Sequence, residues 1–239
     1  MNIGTGSNVE SSGERYALSY IKEAEKSKSS ILVFDVGANV GDFVYSTQEI
    51  IGQSAKIFCF EPKKTTFEKL QKKVQGNINV NLFNFGFGDK KGSLTLFFDQ
   101  DPEKSGMASV YQRKLDHFNV HFNGQEIIQI TTIDEFCSEN SIKLIDFLKM
   151  DVEGHEINVL KGANKMIEAD AIHFILFEFG GCNIDSKTYF QDFFYFFKNK
   201  YQIFRILQDG LYPIREYQET DEIFITTNFL AVHNCILKE

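Results

Sequence analysis

Short apolar runs alternate along the chain with longer stretches whose apolar positions recur at helical spacing, and the two periods separate strands from helices. Residues 31–34, Ile-Leu-Val-Phe, have β-branched members and no polar face, the pattern of a strand covered on both sides. Residues 42–50 then read as a helix and 56–61 as a second strand. Pro62 opens a helix to about residue 74, in the first turn, where its missing N–H costs nothing. Residues 78–84 alternate as a third strand, 88–92 (GDKKG) make a turn, and 93–99 form another strand, a hairpin partner or extension. A strand at 126–134 follows, with Thr132 or Ser138 placed to cap short helices. The fourth and fifth main strands lie at 144–151 and 171–179. Between them a helix carries Ile157, Leu160, Ala163 and Met166 on one stripe. Residues 188–200 are an aromatic-faced helix, and 201–207, 211–214 and 222–233 fit terminal strands around a turn at 208–210. At the front, a small polar arm (1–13) precedes a helix over 14–26, with Ser11 or Ser12 placed to cap it. The pattern predicts an α/β chain with a Rossmann-like, mostly parallel sheet and one antiparallel edge strand. It divides into an N-terminal arm and helix (1–30) and a single domain (31–239). Residues 99–125 are irregular and long for a loop; they are expected to form a substrate-side lid, with disorder as the alternative.

In open α/β sheets a ligand lies beyond the carboxyl ends of the strands. Five polar residues end the five main runs: Asp35, Glu61, Asn84, Asp151 and Glu178. After Asp35 comes the turn Gly37-Ala38-Asn39-Val40-Gly41 at a helix N-terminus. Gly37 lets backbone approach a ligand, Gly41 lets helix and strand pack closely, and the free N–H groups suit a carboxylate or phosphate. Glu61 is placed to accept hydrogen bonds from the two hydroxyls of a ribose. Asn39 stands where a dinucleotide fingerprint needs its second glycine. Asp35 would repel a pyrophosphate but suits a ligand with an ammonium and a sulfonium. The expected cofactor is therefore S-adenosyl-L-methionine, with NAD(P) or another nucleotide as the competing ligand.

The block Lys149-Met-Asp-Val-Glu-Gly-His-Glu156 is the densest in ionisable groups. Asp151, Glu153 and His155 can perturb one another's pKa values, which is how a general base is made. Of the three, His155 is expected to be the base, because its ordinary pKa is near 6.5. One of Glu153 and Glu156 is expected only to cap the following helix. His173, inside an apolar strand, reads as a satisfied core residue. His117 and His121 lack an adjoining acid motif, and no third ligand declares itself beside Asp151 and Glu178. A metal is not expected to be essential.

Composition narrows the classes. The chain has 239 residues, 43% hydrophobic and 24% charged, ordinary usage for one α/β domain with a real core. The 25 phenylalanines read as core packing. A net charge of −8 argues against a broad nucleic-acid surface. Cys59, Cys137, Cys182 and Cys235 show no paired spacing, which suits a reduced, cytoplasmic chain. No apolar run approaches a membrane span.

The blocks FDVGANVG, FCFEP, NFGFGDKKG, TTIDEF, DFLKMDVEGHEINVLKGA and the late FEF resemble the FkbM family of S-adenosylmethionine-dependent methyltransferases, over about residues 31–178. The resemblance implies a seven-stranded class I methyltransferase fold and methyl transfer to a hydroxyl of a sugar, glycan or polyketide. It carries Asp35, Gly37, Ala38, Asn39 and Gly41 to the methionine end of the cofactor. Glu61 and Pro62 go to the ribose, and Asn84, Gly86 and Asp89 to the adenine side; Gly86 stands where an alanine is usual. Asp151 and Glu153 fall beside the sulfonium and the acceptor. Glu178 and Arg113 are expected on the acceptor side. The competing functions are an oxidoreductase and a cofactor-binding protein without catalysis.

Overall fold

The computed structural model describes residues 12–207 and 210–237; the Ser11 cap, most of the N-terminal arm and the turn at 208–209 lie outside the described residues. In chain order the elements are α1 (Glu14–Ala24), β1 (Ile31–Val36), α2 (Asp42–Ile50), β2 (Ala55–Phe60), α3 (Lys64–Lys73), β3 (Val80–Phe83), β4 (Gly86–Phe87), β5 (Gly92–Phe98), β6 (Gly124–Thr131), α4 (Ile133–Glu139), β7 (Ile145–Met150), α5 (Glu156–Lys161), α6 (Asn164–Glu168), β8 (Ile172–Phe179), α7 (Gly181–Ser186), α8 (Phe190–Phe197), β9 (Tyr201–Leu207), β10 (Gly210–Ile214) and β11 (Thr227–His233).

The apolar runs assemble into an eight-stranded sheet of order β10-β9-β11-β8-β7-β1-β2-β3. From β3 to β8 the strands are parallel. β11 runs antiparallel between β8 and β9, and β10 runs antiparallel to β9 at the edge. The sheet therefore has one strand more than the seven expected. Its antiparallel strands are two, one of them internal. Burial explains the placement: β11 is covered at every residue but Asn228, as a central strand must be, whereas no residue of β10 is fully buried.

A second sheet of three strands, β4-β6-β5, stands apart. β5 pairs with β6 across the irregular segment rather than extending the main sheet. Leu96, Ile128 and Ile130 form its buried apolar cluster, while Ile127, one position out of phase, is 68% exposed. Residues 99–125 make two short 3-10 turns (Pro102–Met107 and Asp116–Phe118) and a bridge between Ser109 and Phe97.

The core has two halves, one on each face of the main sheet. On one face Phe34, Phe60, Phe83, Phe87 and Phe136 pack ring to ring, with Phe60 to Phe87 centroids 4.5 Å apart. On the other, α1, α2 and α3 cover Val33, Ile57, Phe147 and Phe174. Thr132 caps α4 by accepting from the Glu135 N–H; Ser138 lies inside that helix and caps nothing. Ser12 bonds the Glu14 carboxylate at 2.9 Å, and the N-cap of α1 is Gly13.

Candidate functional site

At the carboxyl ends of β1, β2 and β7 a cleft of about 710 Å³ opens, roofed by the three-stranded sheet. Its floor and ends are Gly37, Asn39, Glu61, Pro62, Asp151, Glu153 and His155; its apolar wall is Gly86, Phe87, Leu96, Ile128 and Ile130.

Gly37 is where the turn must be glycine. Its φ is +80°, and a Cβ there would lie 1.9 Å from the Asp151 carbonyl oxygen. β1 and β7 can meet beneath the cleft only without that atom. Asn39, at φ 47°, donates its N–H to Glu61 Oε2 at 3.0 Å, and Lys63 N–H donates to Oε1 at 2.9 Å. One backbone donor per oxygen orients the carboxylate and leaves each oxygen a lone pair. Burial raises the Glu61 pKa to about 7 against those two hydrogen bonds. Asn39 Oδ1 is buried on the cleft wall without a protein partner.

Beyond β7 the chain turns sharply. Glu153 sits at φ 51° and Gly154 at φ 100°. The fully buried Glu156 holds this turn by accepting from the Val152 and Gly154 N–H groups. Glu153 ion-pairs with Arg113, whose Nε is 3.7 Å from Asp185. Asp151, Glu153 and Glu178 bring carboxylate oxygens within 4.8 Å of one another. The sequence showed no third oxygen ligand; the structure supplies one in Glu153. Such a set could hold a hard divalent cation, but Arg113 already pairs with that third member. Burial raises the Glu153 pKa to about 8, with Arg113 opposing, and raises that of Glu178 through burial and the Asp151 charge.

His155 turns the other way. Its Nδ1 is 3.2 Å from Tyr111 Oη, and a Cβ on Gly88 would lie 3.1 Å from its Nε2. Burial lowers its pKa to about 4.

Several expected site residues are not in the cleft. Asp35 is wholly buried, 3.2 Å from Lys149 Nζ, and does not line it. The register pairs Asp35 with Lys149 across β1 and β7, so its charge is used inside the sheet. Lys149 also lies 3.9 Å from Glu14 and 3.7 Å from Asp151, and these neighbours keep it charged despite burial. Ala38 packs into the core beside α2, and Gly41 caps that helix. Asn84 donates to the carbonyls of Glu61 and Pro62, bracing the loop that carries Glu61, and does not line the cleft. Asp89 is exposed. Glu178 and Arg113 stand beyond Glu153, behind the cleft lining. His173 bonds Glu25 at 2.6 Å at the opposite end of the sheet. Sequence reading missed Tyr111, Asn158, Lys149 and the apolar wall. Lys149 had one signal: it precedes Asp151 by two in a strand, on the same face.

A parallel sheet continued by an antiparallel strand inserted before the last parallel one, with an acid-rimmed cleft over its centre, defines a class I methyltransferase-type fold. A solved structure, the FkbM methyltransferase from Methylobacillus flagellatus KT, is similar with a TM-score of 0.52 at 18% identity, over 85% of this chain and 44% of that one. The model of the "Methyltransferase FkbM domain" matches residues 35–205, and the chain belongs to that methyltransferase family. Among curated relatives, the 2-O-methyltransferase NoeI of Sinorhizobium fredii is 23% identical over 59% of this chain and 60% of its own length. The hexuronic acid methyltransferase AglP of Haloferax volcanii is 26% identical over 64% of this chain and 58% of its own. The match thus spans under two thirds of each relative. Among the described residues no helix is long and apolar enough to cross a membrane.

Proposed function

We propose that this protein transfers a methyl group from S-adenosyl-L-methionine to a hydroxyl of a sugar or glycan. The observation that carries the reading is the pairing, in one cleft, of a backbone-oriented Glu61 at one end with Asp151 and Glu153 at the other. The residues present fit the cofactor. Glu61 keeps one free lone pair on each oxygen for a ribose diol, Asn39 Oδ1 awaits a donor, and the Phe87–Ile130 wall suits a flat base. The names of NoeI and AglP support a sugar-type acceptor.

When bound, the cofactor supplies an electrophilic methyl on a sulfonium. The chain's own work is positioning, which can remove about 7–11 kcal/mol of barrier, and proton removal, worth about 10²–10⁴-fold. Asp151 faces the positive sulfonium. Glu153, which lines the cleft, faces the acceptor and takes its proton, with the Glu178 carboxylate behind it. His155 is set aside as the base: an imidazole with a pKa of about 4 is a weak one, and it points toward Gly88. The acceptor side carries Asp151, Glu153 and Glu178, while Arg113 is matched by Glu153 and Asp185. This charge favours a neutral or amino sugar over a hexuronate.

The test is incubation with methyl-labelled cofactor and a panel of neutral oligosaccharides, amino sugars and hexuronates, with and without EDTA. Label should enter neutral sugars, and EDTA should leave the rate unchanged. Binding of NAD in place of S-adenosylhomocysteine would overturn the cofactor; cofactor binding without transfer to any hydroxyl would overturn the reaction.

A further inference from the structure

His155 sits in a small polar network separate from the carboxylates. Its Nδ1 lies 3.2 Å from Asn158 Nδ2 as well as 3.2 Å from Tyr111 Oη, and Asn158 Nδ2 donates to the same Oη at 3.1 Å. An amide nitrogen has two protons and no lone pair to offer, so Nδ1 must accept. The ring proton is then on Nε2. That atom is buried, has no protein partner, and belongs to a side chain lining the cleft. A buried N–H without an acceptor is costly, and this one lies beside Gly88, where an added Cβ would be 3.1 Å from it and 3.0 Å from Ile130 of the cleft wall.

We propose that His155 is a neutral hydrogen-bond donor to the heteroaromatic base of the cofactor, with Asn158 as the positioning residue that fixes its Nε2–H tautomer and Tyr111 as a second partner of Nδ1. The proposal rests on the cofactor reading above. Glu61, Pro62, Gly86, Phe87, Ile130 and His155 all line the one cleft. With the ribose diol on Glu61, a planar base lies along that wall and presents ring nitrogens at its far edge. These are lone-pair acceptors, and the orphan donor suits them. Glu153, two residues earlier, points instead to Arg113, so the turn sends its carboxylate to the acceptor and its imidazole to the base. The burial that depresses the imidazole pKa keeps the ring uncharged at neutral pH.

The experiment is nitrogen-edited NMR of the His155 ring in the full chain, titrated with S-adenosylhomocysteine and, separately, with S-ribosylhomocysteine, which lacks the base. The ring should be in the Nε2–H form, and the Nε2 signal should move with the first compound only. Asn158→Asp offers Nδ1 an acceptor, so it should switch the tautomer. It should weaken S-adenosylhomocysteine binding about tenfold and leave S-ribosylhomocysteine binding unchanged. Tyr111→Phe should keep the tautomer, because the Asn158 amide alone fixes it. Binding of S-adenosylhomocysteine with an unmoved Nε2 signal, or an Nδ1–H ring in the wild type, overturns this proposal alone. No binding of S-adenosylhomocysteine overturns the cofactor reading and this proposal with it.

Discussion

Glu61→Ala removes both carboxylate oxygens that the Asn39 and Lys63 N–H groups hold at 3.0 and 2.9 Å. In the proposed complex each oxygen also accepts one ribose hydroxyl. A hydrogen bond to a charged group contributes about 1.5–3 kcal/mol, so the pair contributes about 3–6 kcal/mol. Part of this is offset. Burial holds the Glu61 pKa at about 7, so at pH 7 about half the molecules carry the ionised, binding-competent form. That halving of the competent fraction costs about 0.4 kcal/mol. Net of it, the variant should bind S-adenosylhomocysteine about 10²–10⁴-fold more weakly. The same substitution leaves two backbone N–H groups without acceptors, at about 1–3 kcal/mol each where water cannot replace the oxygen. Calorimetric titration must therefore be paired with a melting curve. Glu61→Gln, which keeps the volume and one carbonyl oxygen, should melt closer to wild type and still bind weakly. A folded Glu61→Ala protein with unchanged affinity would remove Glu61 from the site and refute the reasoning.

Lys149→Met should destabilise the fold by about 3–5 kcal/mol in urea denaturation, because it strands the buried Asp35 charge; adding Asp35→Asn should recover much of the loss, and no recovery would show that the pair does not matter. Gly37→Ala forces a left-handed φ on alanine, costing about 1–2 kcal/mol, and drives its Cβ into the Asp151 carbonyl; a stable, cofactor-binding variant would show that β1 and β7 do not need that approach. Burial raises Glu61 and Glu156 to about 7 and Glu153 to about 8 from 4.5. Between those values the folded state holds more protons than the unfolded one, so these groups stabilise most at low pH and lose that contribution as pH rises to 8. His155, lowered to about 4 from 6.5, acts in the opposite sense only below 6.5. Melting temperature of the ligand-free protein should thus fall from pH 6.5 to 8, and a rise over that range would contradict the assignment of buried carboxyls.

Strand ends were legible because a buried run must stop where a polar residue reaches solvent or a ligand. That rule brought Glu61 and Asp151 to one edge, where the structure has them in one cleft. It misled at Asp35, since a carboxylate ending a run can also be matched across the sheet, and the match with Lys149 exists only in the parallel register of β1 and β7. The apolar roof was hidden for a different reason. β5 and β6 pair across residues 99–123, and local periodicity carries no information on so distant a partner. Tyr111 and Arg113 reach the site from that same connection, so no spacing links them to His155 and Glu153. The order of the last strands was equally hidden: runs of similar composition gave no sign that β11 enters between β8 and β9.

The central claim is that the cleft seats S-adenosyl-L-methionine with its ribose on Glu61 and its sulfur over the end of β7. A crystal structure of the protein with S-adenosylhomocysteine tests it most directly. The account predicts both ribose hydroxyls on the Glu61 carboxylate, the base along Phe87 and Ile130, and the sulfur facing Asp151 and Glu153. The molecule bound elsewhere, or bound in the cleft with the ribose away from Glu61, would contradict it.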